Sequence, residues 1–496
     1  MNRATSAIIR VAAVTAICIC SAAVFSACSG LPDQPIPEQQ VPDQQIPSPP
    51  EEDLALVEET IAPVLTIDDA YEAITLSVQA GDPAGAIAAY EEAEIENPDD
   101  PGTRALLANL YLIAGAVGEA DALLREVLDE EPDNTEALFL SSLVAAATGD
   151  GDRQVTILQD LLVIDPLNSR ALASIGELQL QDREYEAAAT SCAAALEEEE
   201  NLVARMGLAN VYLRQEEYEA AEAELSVVID QNPDYPFSYA DRARARAMQH
   251  ELGAAAADLS VAIELDPDYQ WHFLDRGRVY LERGQFEAAE ADFSAAIALD
   301  DTQFITYVLR GRARDALGES DDALADYEAG LAMRPDYYPA YVSTATLLYT
   351  VGRAAEAAFY YQEAFQTDQR RLDYILMAAL ALKSAGHDDA AERWLTESLS
   401  HFSRDTVFYS MARYYLLPTN DGYVLGEIGR EQNVTVRGQM YFYLGAQLLL
   451  LDRHMTAQAA LLEAESSLPP GFLERRLATW HLNEYRSGNP GGEEDD

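Results

Sequence analysis

Lysine is almost missing from this chain: of its 32 basic residues only Lys383 is a lysine. Basic residues are themselves scarce beside 86 acidic ones, which leaves a formal charge of −54. Charge of that sign disfavours nucleic acid and anionic lipid surfaces as partners, since both are polyanions. Cysteine is equally sparse. Of four, Cys18 and Cys20 fall within an early apolar run, Cys28 follows it, and only Cys192 remains. One thiol excludes an internal disulfide and a cysteine-rich metal site. The six histidines, at 250, 272, 387, 401, 454 and 481, have no metal-ligand spacing, and no His-Glu-x-x-His occurs. Gly149-Asp-Gly-Asp152 is an isolated loop, not a glycine-rich phosphate cradle, and no serine elbow or calcium loop is present. The expectation is a protein with no metal, no cofactor and no enzymatic activity. An enzyme whose site no motif marks is the remaining alternative.

What the chain has is a period. Pro98, Pro132 and Pro166 are 34 residues apart, as are Pro233 and Pro267, and the same step separates Gly81, Gly115 and Gly149, then Gly284, Gly318 and Gly352. Numbered so that the proline falls at position 32, units begin near Ile67, Pro101, Thr135, Asn168, Leu202, Pro236, Gln270, Phe304, Tyr338 and Leu372. Position 8 is small (Ala108, Ala209, Ala243, Gly277, Gly311, Ala345, Ala379), and so is position 20 (Ala86, Ala120, Ala221, Ala255, Ala289, Ala323, Ala357, Ala391). Position 24 is large, from Tyr90 and Leu124 to Phe293, Tyr327 and Tyr361. Small residues let two helix backbones approach and the large one fills the gap. Cys192 falls in that large slot and reads as core. Each unit therefore predicts two helices with a glycine break and a proline stop. Such a unit cannot bury its own apolar face, so neighbours must stack. With 49% hydrophobic residues, the chain has enough apolar surface for a long stack. Where position 32 holds Glu200, Asp301 or Gln369, the repeat is expected to be looser or differently terminated.

The period, with runs such as Gly284-Gln-Phe-Glu-Ala-Ala289 and Tyr218-Glu-Ala-Ala221 ahead of Asp-Pro or Asn-Pro, resembles the tetratricopeptide repeat (TPR) family. The resemblance covers about ten copies, roughly Ile67 to Asp405, within a segment expected at 53–405. Residues 406–437 read as a degenerate helical unit. Residues 438–486 read as one more TPR-like repeat plus a C-terminal cap, and 487–496 as a disordered acidic tail. The resemblance implies an all-α fold, an α-solenoid of stacked antiparallel helix pairs (a TPR superhelix) with about eleven to twelve units and a C-terminal capping helix.

The amino terminus carries an address. Arg3 and Arg10 precede 17 uncharged, mostly apolar residues from Val11 to Ala27, a secretory signal pattern a little short for a spanning helix. It ends Val24-Phe-Ser-Ala-Cys28, which resembles a bacterial lipobox and implies a signal peptide at 1–27 and lipidation of Cys28. Ordinary cleavage after Ser21-Ala-Ala23 and an uncleaved anchor stand beside that reading. Within the segment 28–52 prolines recur too often for helix or sheet. As an extended linker at about 3.1 Å per residue, residues 31–50 would reach roughly 60 Å. Ser29 supplies no Asp-type retention signal, so the expected place is the cell envelope, at the outer membrane, with the solenoid in the periplasm or at the surface.

Two residue sets stand out. Position 7 holds Arg242, Arg276 and Arg310 where position 23 holds Asp258, Asp292 and Asp326, and the charges come and go together along the chain. They are expected to form structural Arg–Asp pairs, inside each repeat or across its seam. Position 9 holds Arg244, Arg278 and Arg312, with Asn210 at the same place in another repeat and Phe237 and Trp271 at position 2. In TPR proteins this first-helix position lines the concave groove. The resemblance therefore implies a site for an acidic or carboxylate-ended peptide, since Arg offers paired donors. The bland alternative is that these arginines only neutralise Asp241, Asp275 and Asp315. The expected partners are proteins or peptides, and the membrane through Cys28. Self-association into a homo-oligomer is the competing reading.

Overall fold

A computed structural model describes residues 67–92 and 100–487. The expected signal peptide, Cys28, the proline-rich linker, Pro98 and the tail from 488 lie outside the described residues. All regular structure among the described residues is helical, and the chain divides into two units, Met1–Gln249 and His250–Asp496.

The first unit holds α1 (Ile67–Gln79), α2 (Pro83–Glu92), α3 (Pro101–Ile113), α4 (Val117–Glu130), α5 (Thr135–Ala147), α6 (Gly151–Ile164), α7 (Ser169–Gln181), α8 (Tyr185–Glu198), α9 (Leu202–Arg214), α10 (Tyr218–Gln231) and α11 (Pro236–Met248). The second holds α12 (Leu252–Leu265), α13 (Gln270–Glu282), α14 (Phe286–Leu299), α15 (Phe304–Leu317), α16 (Ser320–Met333), α17 (Pro339–Thr350), α18 (Ala354–Thr367), α19 (Asp373–Ser384), α20 (Asp388–Ser398), α21 (Val407–Leu416), α22 (Asp421–Arg430), α23 (Val434–Leu450), α24 (His454–Ser467) and α25 (Leu473–Ser487). Within each unit the odd-numbered helix packs on its even-numbered successor, and that one on the next odd helix, so the architecture is an all-α helical solenoid.

Local chemistry explains the boundaries. Four first helices, α3, α5, α7 and α9, open on Asp100, Asn134, Asn168 and Asn201, whose side chains accept the backbone N–H of the third residue on. They close on a left-handed residue. At Gly115 (φ 75°) the N–H of the next residue, Ala116, reaches back to Tyr111, and that of Gly115 itself to Leu112. Second helices stop two residues before their proline, at Glu130, Ile164, Gln231, Leu265 and Met333. Repeats without the proline stop at the same place, at Glu198, Leu299 and Thr367, so of the two outcomes expected of them, looser or differently terminated, the first is not found and the second is. In two of them an aspartate supplies the turn. Asp300 accepts the N–H of Thr302 at 2.9 Å and Asp368 that of Arg370 at 3.2 Å.

Packing follows the small-against-large pattern. A Cβ added to Gly277 would lie 2.6 Å from the Phe293 ring, so the helices of that pair touch backbone to ring. Cys192 is fully buried against Gly176 and Gly207, and burial, then the charge of Glu177, pushes its thiol up to about 12. The end of the second unit packs differently. Every residue of α19 from Asp373 to Leu382 is buried, on all faces of the helix, in a cluster that runs on through α23 and α25. The segment read as a degenerate unit contains α21 and α22. The next helix, α23, begins at Val434 within that segment, because Asn433 caps it through the N–H groups of Thr435 and Val436. Ser487, read as tail, is the last residue of α25.

Candidate functional site

The position-7 arginines sit in seams between helices. Arg276 on α13 donates to both carboxylate oxygens of Asp292 on α14, at 2.9 and 2.7 Å, and to Ser260 Oγ on α12 at 3.0 Å. Arg310 on α15 repeats this one period on, with 2.9 and 2.7 Å to Asp326 on α16 and 3.2 Å to Ser294 on α14. In the first unit Arg242 on α11 donates to Ser226 on α10 at 3.2 Å, and in the second Asp258 is buried on α12. Each guanidinium also lies near the ring three residues earlier, Tyr239, Phe273 or Tyr307. Arg276 and Arg310 thus join a first helix to its own second helix and to the one before. The serines at 226, 260 and 294 are part of the seam and share its 34-residue step. Nothing in the sequence set them apart, because serine is ordinary on any helix. The Asp292 bond holds the Arg276 guanidinium above its ordinary pKa. Arg314 brings a second guanidinium to Asp326 at 2.9 Å and reaches Glu290 at 2.9 Å, while Arg246 reaches Glu222 at 2.8 Å.

The position-9 arginines face outward. Arg244 on α11 is exposed in the first unit, with Phe237 half-buried on the same helix and Asn210 half-buried on α9. In the second unit Arg278 and Arg312 are exposed on α13 and α15, with Trp271 half-buried two turns before Arg278. Arg278 lies 3.6 Å from Asp275 on its own helix, an exposed pair of little worth. Arg244 and Arg312 form no hydrogen bond or ion pair among the described residues. Asp315, the acid nearest Arg312 in sequence, is taken by another arginine.

That arginine is Arg476, on the last helix. It meets Asp315 on α15 with two bonds, at 2.6 and 2.5 Å, across 161 residues of sequence. Two residues earlier, Glu474 is 2% exposed, and its Oε1 accepts Gln439 Nε2 at 2.7 Å and the Tyr443 hydroxyl at 3.1 Å, both from α23. Burial, then the nearby charge of Asp373, raises its pKa above the usual carboxylate range. Asp373 is itself held by Arg371 at 2.7 Å. Further along α25, His481 Nε2 lies 3.2 Å from the Tyr349 hydroxyl of α17, and the Trp480 ring stands edge-on to Tyr349. Burial holds the His481 imidazole down at about 4. The helix read as a cap does cover α24, but it also turns back over α17 and the start of α19 and reaches α15. The sequence carried one hint of this: Tyr374 to Leu382 is nine residues without a charge, too apolar for a helix with an open face.

Among the described residues no group of three or more His, Cys, Asp or Glu is placed to hold a metal, and no helix is long and apolar enough to cross a membrane.

Comparison with known proteins agrees with the repeat geometry. Family models described as tetratricopeptide repeat match residues 77–138, 179–247, 273–303 and 308–370. The chain is similar to cellulose synthase operon protein C of Pseudomonas fluorescens (strain SBW25), 39% identical over 71 residues, which is 14% of this chain and 6% of the relative. It is also similar to the FK506-binding protein-like protein of Mus musculus, 30% identical over 117 residues, 22% of this chain and 34% of the relative. The chain thus spans well under half the length of these curated relatives. Among solved structures it is similar to a thermophilic TPR protein of Thermus thermophilus, at 24% identity and a TM-score of 0.31, over 36% of this chain and 99% of that one. The period, the small-against-large packing of its helix pairs and the four matched stretches make this chain a tetratricopeptide-repeat protein.

Proposed function

We propose that the protein is a non-enzymatic scaffold for protein–protein interaction, tethered to the bacterial cell envelope, that binds peptides or protein subunits on its first-helix faces and assists assembly of an envelope complex. The observation that carries the binding part is the exposure of the position-9 arginines, against the seam-bound state of those at position 7. Buried arginines hold helices together. Exposed ones beside half-buried aromatic surface offer planar, paired donors to a carboxylate. In the first unit these are Arg244, Phe237 and Asn210, and in the second Arg278, Arg312 and Trp271. The lipobox-like Val24 to Cys28 supports the tether, with Cys28 as the acylated residue and the proline-rich linker as spacer. Ser29, which is not an Asp-type retention signal, favours the outer membrane.

The test is to replace Arg244 alone, Arg278 with Arg312, and all three by alanine, then to capture envelope proteins on each variant. Loss of capture with an unchanged helical spectrum is expected. Unchanged capture by the triple variant removes these residues from the binding face. Mass spectrometry of the mature amino terminus tests the tether. An acylated Cys28 is expected, whereas a start at Val24 or an intact Met1 rejects it.

A further inference from the structure

The last helix of the second unit occupies a face that a plain cap would leave open. Its apolar side, Leu477, Ala478 and Leu482, is fully buried. Some of its polar contacts stay with the neighbouring α24 and its end, Thr479 on Glu465 and Arg475 on the Leu468 carbonyl, but others fall on helices far back in sequence: Arg476 on Asp315 of α15, His481 on Tyr349 of α17. A cap needs contact only with the repeat it ends. This arrangement is a helix laid in a groove, with apolar anchors and charged fasteners.

We propose that the face formed by α15, α17, the start of α19 and α23 is a ligand groove closed by the chain's own α25. The partner it fits is an amphipathic helix laid out as α25 is. That layout has a carboxylate, a guanidinium two residues on, and small or branched apolar residues one, two and six positions after the guanidinium. The proposal deepens the reading of the protein as a binding scaffold and rests on it. Three observations carry it. The groove supplies a matched acceptor and donor set: Asp315 for the guanidinium, and Gln439 and Tyr443 for the carboxylate. The joint before α25 is Pro469-Pro470-Gly471, with Gly471 at φ 94°, so the helix can pivot at its terminal connection once its packing on α24, which includes Thr479 Oγ1 donating to Glu465 at 2.7 Å, is released. The seating also contains an internal conflict: Glu474 is buried beside Asp373, a second carboxylate, so part of the attraction of the apolar contacts is offset and a competing helix has less to overcome.

The experiment uses the full chain and a fluorescein-labelled synthetic peptide with the sequence of residues 473–487. Its binding is measured by fluorescence polarisation to the natural chain, to Arg476→Asp, and to the charge-swapped pair Asp315→Arg with Arg476→Asp. Arg476→Asp sets two carboxylates against each other and loosens α25, while leaving Asp315 free for the arginine of the peptide. This variant is expected to bind the peptide roughly tenfold more tightly than the natural chain, the scale of a partly buried ion pair. The charge-swapped chain re-closes α25 and repels the peptide, so its binding is expected to fall back. Hydrogen exchange is read in parallel, and α25 amides are expected to exchange faster in the single variant alone. Equal peptide binding by the three chains overturns the proposal. So does faster exchange of α25 without a gain in peptide binding, and so does faster exchange spread through α15–α23, which would make α25 part of the core. Because the peptide is the chain's own, failure here leaves partner capture through Arg244, Arg278 and Arg312 intact, and failure of that capture leaves this result readable.

Discussion

Asp326 illustrates how single residues set the stability of the second unit. Two guanidinium groups, Arg310 and Arg314, converge on it, and the carboxylate is almost wholly buried. Asp326→Ala would leave two cations facing each other with little water. The expected loss is about 3 kcal/mol, read by urea unfolding. Replacing both Arg310 and Asp326 by apolar residues of similar size should recover most of it, because the desolvation cost leaves with the charges. Titration at other residues gives a second prediction. His272 and His481 are held by burial at about 4, so the unfolded chain takes up protons on them first. Stability is therefore at its full value above the ordinary histidine pKa of about 6.5 and is lost as pH falls from there towards 4. A thermal-unfolding series should show that decline, and His481→Phe should make it shallower. Glu474 has the opposite sign. Its folded pKa is raised, so its contribution is intact at low pH and lost as pH rises above the ordinary carboxylate range. Glu474→Gln is expected to raise the melting temperature at pH 7.5 and to change it little at pH 4. Equal effects at both would mean that the charge carries no penalty.

At the scale of the element, the turn between paired helices recurs with one backbone shape and different residues. Glycine takes the left-handed position at 81, 115, 149, 284, 318, 352 and 386, whereas Arg183, Glu216 and His250 take it at φ of 63–64°. A side chain there costs about 1 kcal/mol or more, partly offset by the looser unfolded state of glycine. Glu216→Gly should therefore stabilise the first unit by roughly 0.5 kcal/mol, and Gly115→Ala should destabilise it by about 1 kcal/mol. Urea midpoints moving the other way would show that the turn is not held by its backbone. The same comparison shows what a sequence can disclose. The helix pairs were legible because small position 8 faces large position 24 in most copies, and the bonds of Arg276 and Arg310 had left a trace as charges that appear and vanish together. Proline proved dispensable as a stop, since the Asp300 and Asp368 turns end their helices at the same step. The path of α25 left no periodic trace. A contact such as Arg476 on Asp315 depends on how far the intervening helices curve, which no local spacing encodes.

For the whole molecule the dominant quantity is charge. If each of the 32 basic residues paired with one acid, the net −54 would remain as unpaired carboxylates. Ion pairs weaken in salt, and repulsion among like charges weakens too, so the two effects compete. The seam pairs are shielded from salt by burial, while most exposed pairs, such as Arg278 with Asp275, contribute little at any ionic strength. Repulsion should therefore decide the outcome. The melting temperature is expected to rise by several degrees between about 10 and 150 mM sodium chloride, over which the screening length shrinks from about 30 to about 8 Å. It should then level off as the screening length drops below the spacing of surface carboxylates. A fall in melting temperature over the same range would mean that the arginine pairs, and not the excess of acid, govern the electrostatics of the chain.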